Sequence, residues 1–93
     1  MSKEEINIAI AAACGWAHPS VQPYAFPDFC NDLNAMHEAE KTLKLGMRSR
    51  YDAELFMLAE RDHCFIWEAT ARQRAEAFLK TIGKWEEMRR IQP

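Results

Sequence analysis

The sequence predicts an α+β domain that is mostly helical, with about four helices around a minimal, short-stranded sheet. Three observations carry that expectation. Two capping boxes, Ser2 with Glu5 and Thr70 with Gln73, each open a run of helically spaced apolar residues. The run His63-Cys64-Phe65-Ile66-Trp67-Glu68-Ala69 is dense in aromatic and branched residues and reads as a strand covered on both faces. Ninety-three residues, 48 % hydrophobic and 28 % charged, make one compact unit over 1–93.

In chain order, a first helix is expected over 2–14. Ile8 to Cys14 is apolar throughout, as in a buried helix, and Gly15 stands where a left-handed cap falls. Residues 15–30 form a loop with three prolines (Pro19, Pro23, Pro27) and four aromatics (Trp16, Tyr24, Phe26, Phe29). Such a stiff segment loses little entropy on binding, so it is either a contact surface or a plug for the core.

A second helix is expected over 31–45, capped by Asp28 or Asn31, with Met36, Ala39 and Leu43 as its apolar stripe and Gly46 ending it. Asp32 lies in its first turn, where its carboxylate can accept backbone N–H groups. Residues 50–61 read as a helix through Tyr51, Leu55, Leu58 and Ala59. A strand over Glu54–Ala59 is the alternative, because Phe56 and Met57 widen the apolar surface. The strand at 63–69 needs a ladder partner. The loop near Val21–Phe26, a hairpin with 54–59 and the same strand of a second copy are the candidates. The last helix, 71–82, carries Ala71, Ala75, Phe78, Leu79 and Ile82 inward, with Glu76 and Lys80 paired on an exposed turn and Gly83 closing it. Residues 86–93 read as a polar tail. Of the ten aromatics, Phe56, Phe65, Phe78 and Trp85 are assigned to the core with Tyr51 beside them, and Trp67 faces either way.

Composition bounds the function. A net charge of −2 disfavours a generic nucleic-acid binder, which needs a cationic footprint. No apolar run has the length of a membrane span, and no secretory leader is apparent, so a cytoplasmic location is expected. Three cysteines, Cys14, Cys30 and Cys64, are expected as free, mostly buried thiols. With His18, His37 and His63 they supply zinc-type ligands, but no CxxC pair is present, and neither a metal nor another cofactor is expected. No local pattern marks a cysteine nucleophile or a phosphate loop. Arg72 and Arg74 fall in the first turn of the last helix, where they oppose its dipole. Helix stability does not explain them, whereas phosphate binding or simple solvation does.

Two stretches resemble a known family. They are Pro27-Asp28-Phe29-Cys30-Asn31-Asp32-Leu33-Asn34-Ala35-Met36-His37-Glu38-Ala39-Glu40 and Ala69-Thr70-Ala71-Arg72-Gln73-Arg74-Ala75-Glu76-Ala77-Phe78-Leu79-Lys80-Thr81-Ile82-Gly83-Lys84-Trp85. With Ile6–Trp16 they are similar to the phage ABA sandwich domain family of small phage and prophage proteins, over about 1–45 and 69–87. The resemblance implies an α/β unit with helices flanking a small sheet and implies no catalytic activity.

Two function classes follow. The first is a non-enzymatic phage or prophage accessory protein that binds a host protein, as an inhibitor of a defence complex such as CRISPR interference would. Its contact residues are expected among Trp16, His18, Tyr24, Phe26, Asp28, Arg72 and Arg74. The alternative is a sponge for a nucleotide-derived defence signal, with an aromatic stacking a base and Arg48, Arg50, Arg72 or Arg74 holding phosphate at a subunit interface.

Overall fold

The computed structural model describes residues 1–16 and 26–85. The tail at 86–93 and the loop residues 17–25, His18 and Tyr24 among them, lie outside the described residues. The fold is four helices: α1 Lys3–Ala13, α2 Leu33–Glu40, α3 Leu45–Arg61 and α4 Ala71–Thr81, with a short 3-10 turn at Ile66–Glu68 between the last two. Among the described residues there is no strand, and the expected α+β class with a sheet is overturned.

Both capping boxes form. Ser2 Oγ accepts from the Glu5 amide at 3.1 Å while Glu5 accepts from the Ser2 amide at 2.7 Å, and Thr70 and Gln73 do the same at 3.1 and 2.8 Å. The cap of α2 is Asp32, one residue beyond Asn31 and four beyond Asp28; its carboxylate accepts from the Ala35 amide at 3.1 Å. Helix α2 then stops at Glu40. The Thr42 hydroxyl bonds the Ala39 carbonyl at 2.7 Å and Leu43 turns into the core, so the chain redirects before Gly46. Gly46 is the second residue of α3 rather than a terminator, and α3 begins five residues earlier than the spacing of its core residues predicts.

The missing strand has a specific cause at His63. Its φ is +58°, in the left-handed region, and the amides of His63 and Cys64 donate back to the carbonyls of Glu60 and Ala59 at 3.1 and 2.9 Å. This is the Schellman end of α3. Gly15 and Gly83 make the same closure on α1 and α4, donating to Ala12 and Lys80 while the next residue reaches Ala11 and Leu79. The apolar run 64–69 therefore leaves a helix end and curls into a turn, held where the Glu68 carboxylate accepts from the Phe65 amide at 2.9 Å. A histidine is held where glycine fits without steric cost, so His63→Gly is expected to stabilise the protein by about 0.5–1 kcal/mol. Denaturant unfolding measures this; a loss of stability would mean the imidazole makes a contact that outweighs the backbone strain.

The core forms around α4, which packs against α1, α2 and α3. Phe78, Ile6, Ile10, Met36 and Leu79 are its largest fully buried side chains, and alanines 71, 75 and 77 let neighbouring helices approach closely. Tyr51, Leu55, Leu58 and Ala59 are buried, as their spacing predicts, while Phe56 and Phe65 are 53 % and 61 % exposed and do not join the core. No helix among the described residues is long and apolar enough to cross a membrane.

Candidate functional site

The turn between α3 and α4 presents two large aromatic side chains to solvent. Ile66 packs against the core and Ala69 is buried, which anchors the turn on either side of Trp67. Phe65 and Trp67 flank Ile66 and point outward, 61 % and 72 % exposed. Their rings are stacked, with centroids 4.6 Å apart and planes within 4° of parallel. Such a pair gains about 0.5–1.5 kcal/mol from ring contact, yet it leaves most of its apolar area in water. The strand reading hid this feature, since a strand buried on both faces would have covered both rings.

The carboxylates next to the stack in sequence outnumber the arginines. Glu60 and Glu68 are exposed nearby in sequence, and Arg61 is tied to Asp62 at 3.1 Å and to Glu76 at 3.7 Å. Asp62 has its carboxyl held below the usual range, first by Arg61 and then by the amide of Gln73. It stays ionised, and Arg61, the arginine beside it in sequence, is engaged by Asp62 and Glu76.

Of the residues expected to bind a partner, the described ones largely contact other parts of the fold. Trp16 is 41 % exposed but leans edge-on against Phe26, with centroids 6.2 Å apart. Phe26 in turn stacks on Phe29 at 6.4 Å, and Phe29 is buried. The described part of the aromatic loop thus leads inward, as a plug. Asp28 serves the same packing: it accepts from Asn7 and Asn31, both at 2.9 Å, while the other end of the Asn7 amide accepts from the buried Cys30 amide at 3.1 Å. Those contacts, Asn31 foremost, hold the Asp28 carboxyl below the ordinary range.

Arg72 and Arg74 are both engaged by groups of the same molecule. Arg74 reaches Glu40 on α2 at 3.1 Å, with both side chains about 85 % buried, and also donates to the Ala69 carbonyl at 3.3 Å. Tyr51 from α3 donates its hydroxyl to the same Glu40 carboxylate, so three helices meet on one acid. Burial, and then the Glu40 acceptor, push the Tyr51 phenol well above its ordinary pKa. Arg72 sits over the ring of Trp85 at 5.3 Å and pairs with Glu76 at 3.5 Å. Glu76 is buried rather than on an exposed turn. Lys80 at 2.9 Å and Arg61 complete a ring of three cations around it. The expected Glu76–Lys80 pair forms, though buried rather than exposed, while the pairing of Glu40 with Arg74 and Tyr51 is not read from the sequence. The only sequence signal was the pair of arginines at the unfavourable end of α4.

Among the described residues, two hollows have room for a small ligand. One of about 400 Å3 runs between α1 and the Phe26–Asp28 segment; of its polar side chains Lys3, Asn7 and Asp28 are bonded among themselves, and Glu4 stands beside them. The other, about 340 Å3 and shallow, brings Trp85 together with Arg50 and Lys80. There Arg50 faces Glu54 at 3.7 Å and Lys80 faces Glu76 at 2.9 Å, so each cation has a carboxylate partner. Among the described residues no three histidine, cysteine or acidic side chains converge as metal ligands. Burial pushes the Cys14 and Cys30 thiols up, away from the thiolate a nucleophile requires.

No family model, curated protein or solved structure matches this chain. The functional reading therefore rests on the residues themselves.

Proposed function

We propose that this chain is a non-enzymatic binding protein that holds a protein partner through the Phe65–Trp67 stack. One observation carries the reading: two large rings, mutually stacked and mostly exposed, are fixed on a turn anchored by Ile66 and Ala69. Rigid aromatics lose little side-chain entropy on binding, and tryptophan is the residue type most often dominant in an interface. The acidic side chains beside the turn repel a phosphate backbone and suit an apolar cleft rimmed by basic groups. This moves the contact surface from the aromatic loop and from Arg72 and Arg74 to the segment joining α3 and α4.

The biological setting comes from the sequence resemblance alone: a phage or prophage product acting on a host protein, with inhibition of a defence complex such as CRISPR interference as its effect. The fold lends that resemblance no help, since the sheet it implies is absent from the described residues. The sponge alternative has weaker support. It needs an aromatic and free arginines around one cavity, whereas Arg72 and Arg74 are engaged by Glu76 and Glu40, and Arg48 donates to the Glu40 carbonyl at 3.2 Å.

Tagged protein retained on resin in host lysate, followed by mass spectrometry, is the test, run in parallel with Trp67→Ala. Trp67 is mostly exposed, so the variant should fold normally by circular dichroism. Its affinity for the captured protein should fall by at least about tenfold, the scale of an interface hot spot. Equal capture by both proteins would sink the proposal. A nucleotide released on denaturing the purified chain would favour the sponge instead.

A further inference from the structure

The capping box of α4 uses a glutamine where a glutamate would cap as well. Gln73 Oε1 accepts from the Thr70 amide at 2.8 Å, and the Gln73 amide donates to Thr70 Oγ at 3.1 Å. A glutamate closes the same box and adds a negative charge at the positive end of the helix dipole. Arg72 and Arg74 flank the position, and the first turn of α4 holds no acid to offset them. Capping alone therefore favours the acid. The amide differs from it in one respect, its nitrogen.

That nitrogen donates to the Asp62 carboxylate. The amide is oriented from both ends, since the Thr70 N–H requires an acceptor and the Asp62 carboxylate a donor. Asp62 is the C-cap of α3 and Gln73 the third residue of α4. Their bond ties the end of one helix to the start of the next, and Phe65 and Trp67 lie on the loop it closes. Inside the loop, the Phe65 amide donates to the Glu68 carboxylate at 2.9 Å, and the Glu68 amide donates back to the Phe65 carbonyl at 2.8 Å. Trp67 is 72 % exposed, so burial does not hold its ring in place. The turn beneath it must.

We infer that Gln73 and Glu68 are positioning residues for the exposed Phe65–Trp67 stack. Gln73 fixes the span of the turn through Asp62, and Glu68 fixes its inner curve. Both act through the backbone that carries the rings. Groups outside a contact surface that lock its shape spare the cost of ordering it at binding. The inference rests on the partner-binding reading for its effect on affinity, whereas the ring geometry is tested without a partner.

NMR of the full chain reads the stack directly, because rings with centroids 4.6 Å apart shield each other's protons. Four variants are compared with the wild type. Gln73→Glu keeps the capping box but sets two carboxylates against each other. Asp62→Asn combined with Gln73→Glu restores the bond with donor and acceptor exchanged. Glu68→Ala removes the acceptor for the Phe65 amide, and Glu68→Gln keeps a carbonyl oxygen there. The wild-type chain should show upfield-displaced signals for both rings. Gln73→Glu and Glu68→Ala should each move them toward ordinary aromatic positions, and the double variant and Glu68→Gln should return them. Circular dichroism should stay unchanged throughout, since the helices keep their caps. Affinity for the protein captured from lysate should fall about two- to tenfold in Gln73→Glu and Glu68→Ala. Ring signals that stay in place in either of those variants, or that move without returning in the two rescue variants, overturn the inference. Signals that move and return while affinity holds support the positioning role and count against the partner-binding reading instead.

Discussion

Glu40→Ala is expected to destabilise the protein by about 2–4 kcal/mol, because it leaves a buried phenol and a largely buried guanidinium without their acceptor. Tyr51 is 3 % exposed and donates to Glu40; Arg74, with its side chain 15 % exposed, keeps only the Ala69 carbonyl when the acid is gone. The loss corresponds to a fall in melting temperature of more than about 10 °C for a domain of this size. Tyr51→Phe removes one donor and leaves Glu40 paired with Arg74, so it should cost only about 1 kcal/mol. The phenol also sets a pH signature. Its pKa is raised in the folded state, so its contribution is intact below the ordinary tyrosine pKa of about 10 and is lost as pH rises beyond it. Tyr51→Phe should flatten that alkaline loss. Thermal and urea unfolding of the two variants decide the matter. A Glu40→Ala cost near that of an exposed ion pair, below about 0.5 kcal/mol, would show that solvent reaches the cluster and that it does not join the helices.

Glu76 is a useful contrast. It too is buried and faces cations, but Arg72 and Arg61 are half exposed and Lys80 is 25 % exposed at its side chain. Water can take over those cations when the acid is removed. Two acids of similar burial are therefore unequal because of what surrounds their partners.

What the sequence reveals and conceals follows from the range of the interactions. Local rules worked: Ser2–Glu5 and Thr70–Gln73 cap helices, Gly15 and Gly83 end them, and the spacing of Tyr51, Leu55, Leu58 and Ala59 marks the inner face of α3. The same rules failed at His63, because a positive φ is written plainly only when the residue is glycine. Without that stop, the run after it has the composition of a strand, which would place Phe65 and Trp67 in a sheet. Gly46 misled in the opposite direction, since a glycine near a helix end looks like a terminator even when it sits in the next helix's first turn. Phe56 widens the apolar arc, so spacing alone assigns it to the core; in the fold it lies across the helix from Tyr51 and is 53 % exposed. The Glu40–Arg74 pair spans thirty-four residues and no local pattern announces it. Its trace was an arginine standing where the helix dipole disfavours one. The contact surface was the least legible part, because an exposed aromatic pair and a buried one have the same composition.

Phe78→Ala is expected to cost about 3–5 kcal/mol, the largest effect of any single truncation here. Phe78 is fully buried on the helix that touches α1, α2 and α3, and it shares its cluster with Ile6, Ile10, Met36 and Leu79. Its helix neighbours Ala75 and Ala77 are also fully buried and have no side-chain length with which to fill the space. The cavity should therefore persist rather than collapse. A domain of this length has about 5–15 kcal/mol to lose, so the variant would give up a large part of its stability. Phe78→Leu keeps most of the volume and should lose less than half as much. Because the helix that carries it packs against all three others, the loss should appear as a single unfolding transition at lower urea with an unchanged slope. A broadened transition, or amide exchange that frees α1 alone, would mean that α1 docks on α4 as a separate unit. The Trp67 surface would then depend only on the α3–α4 pair that carries it.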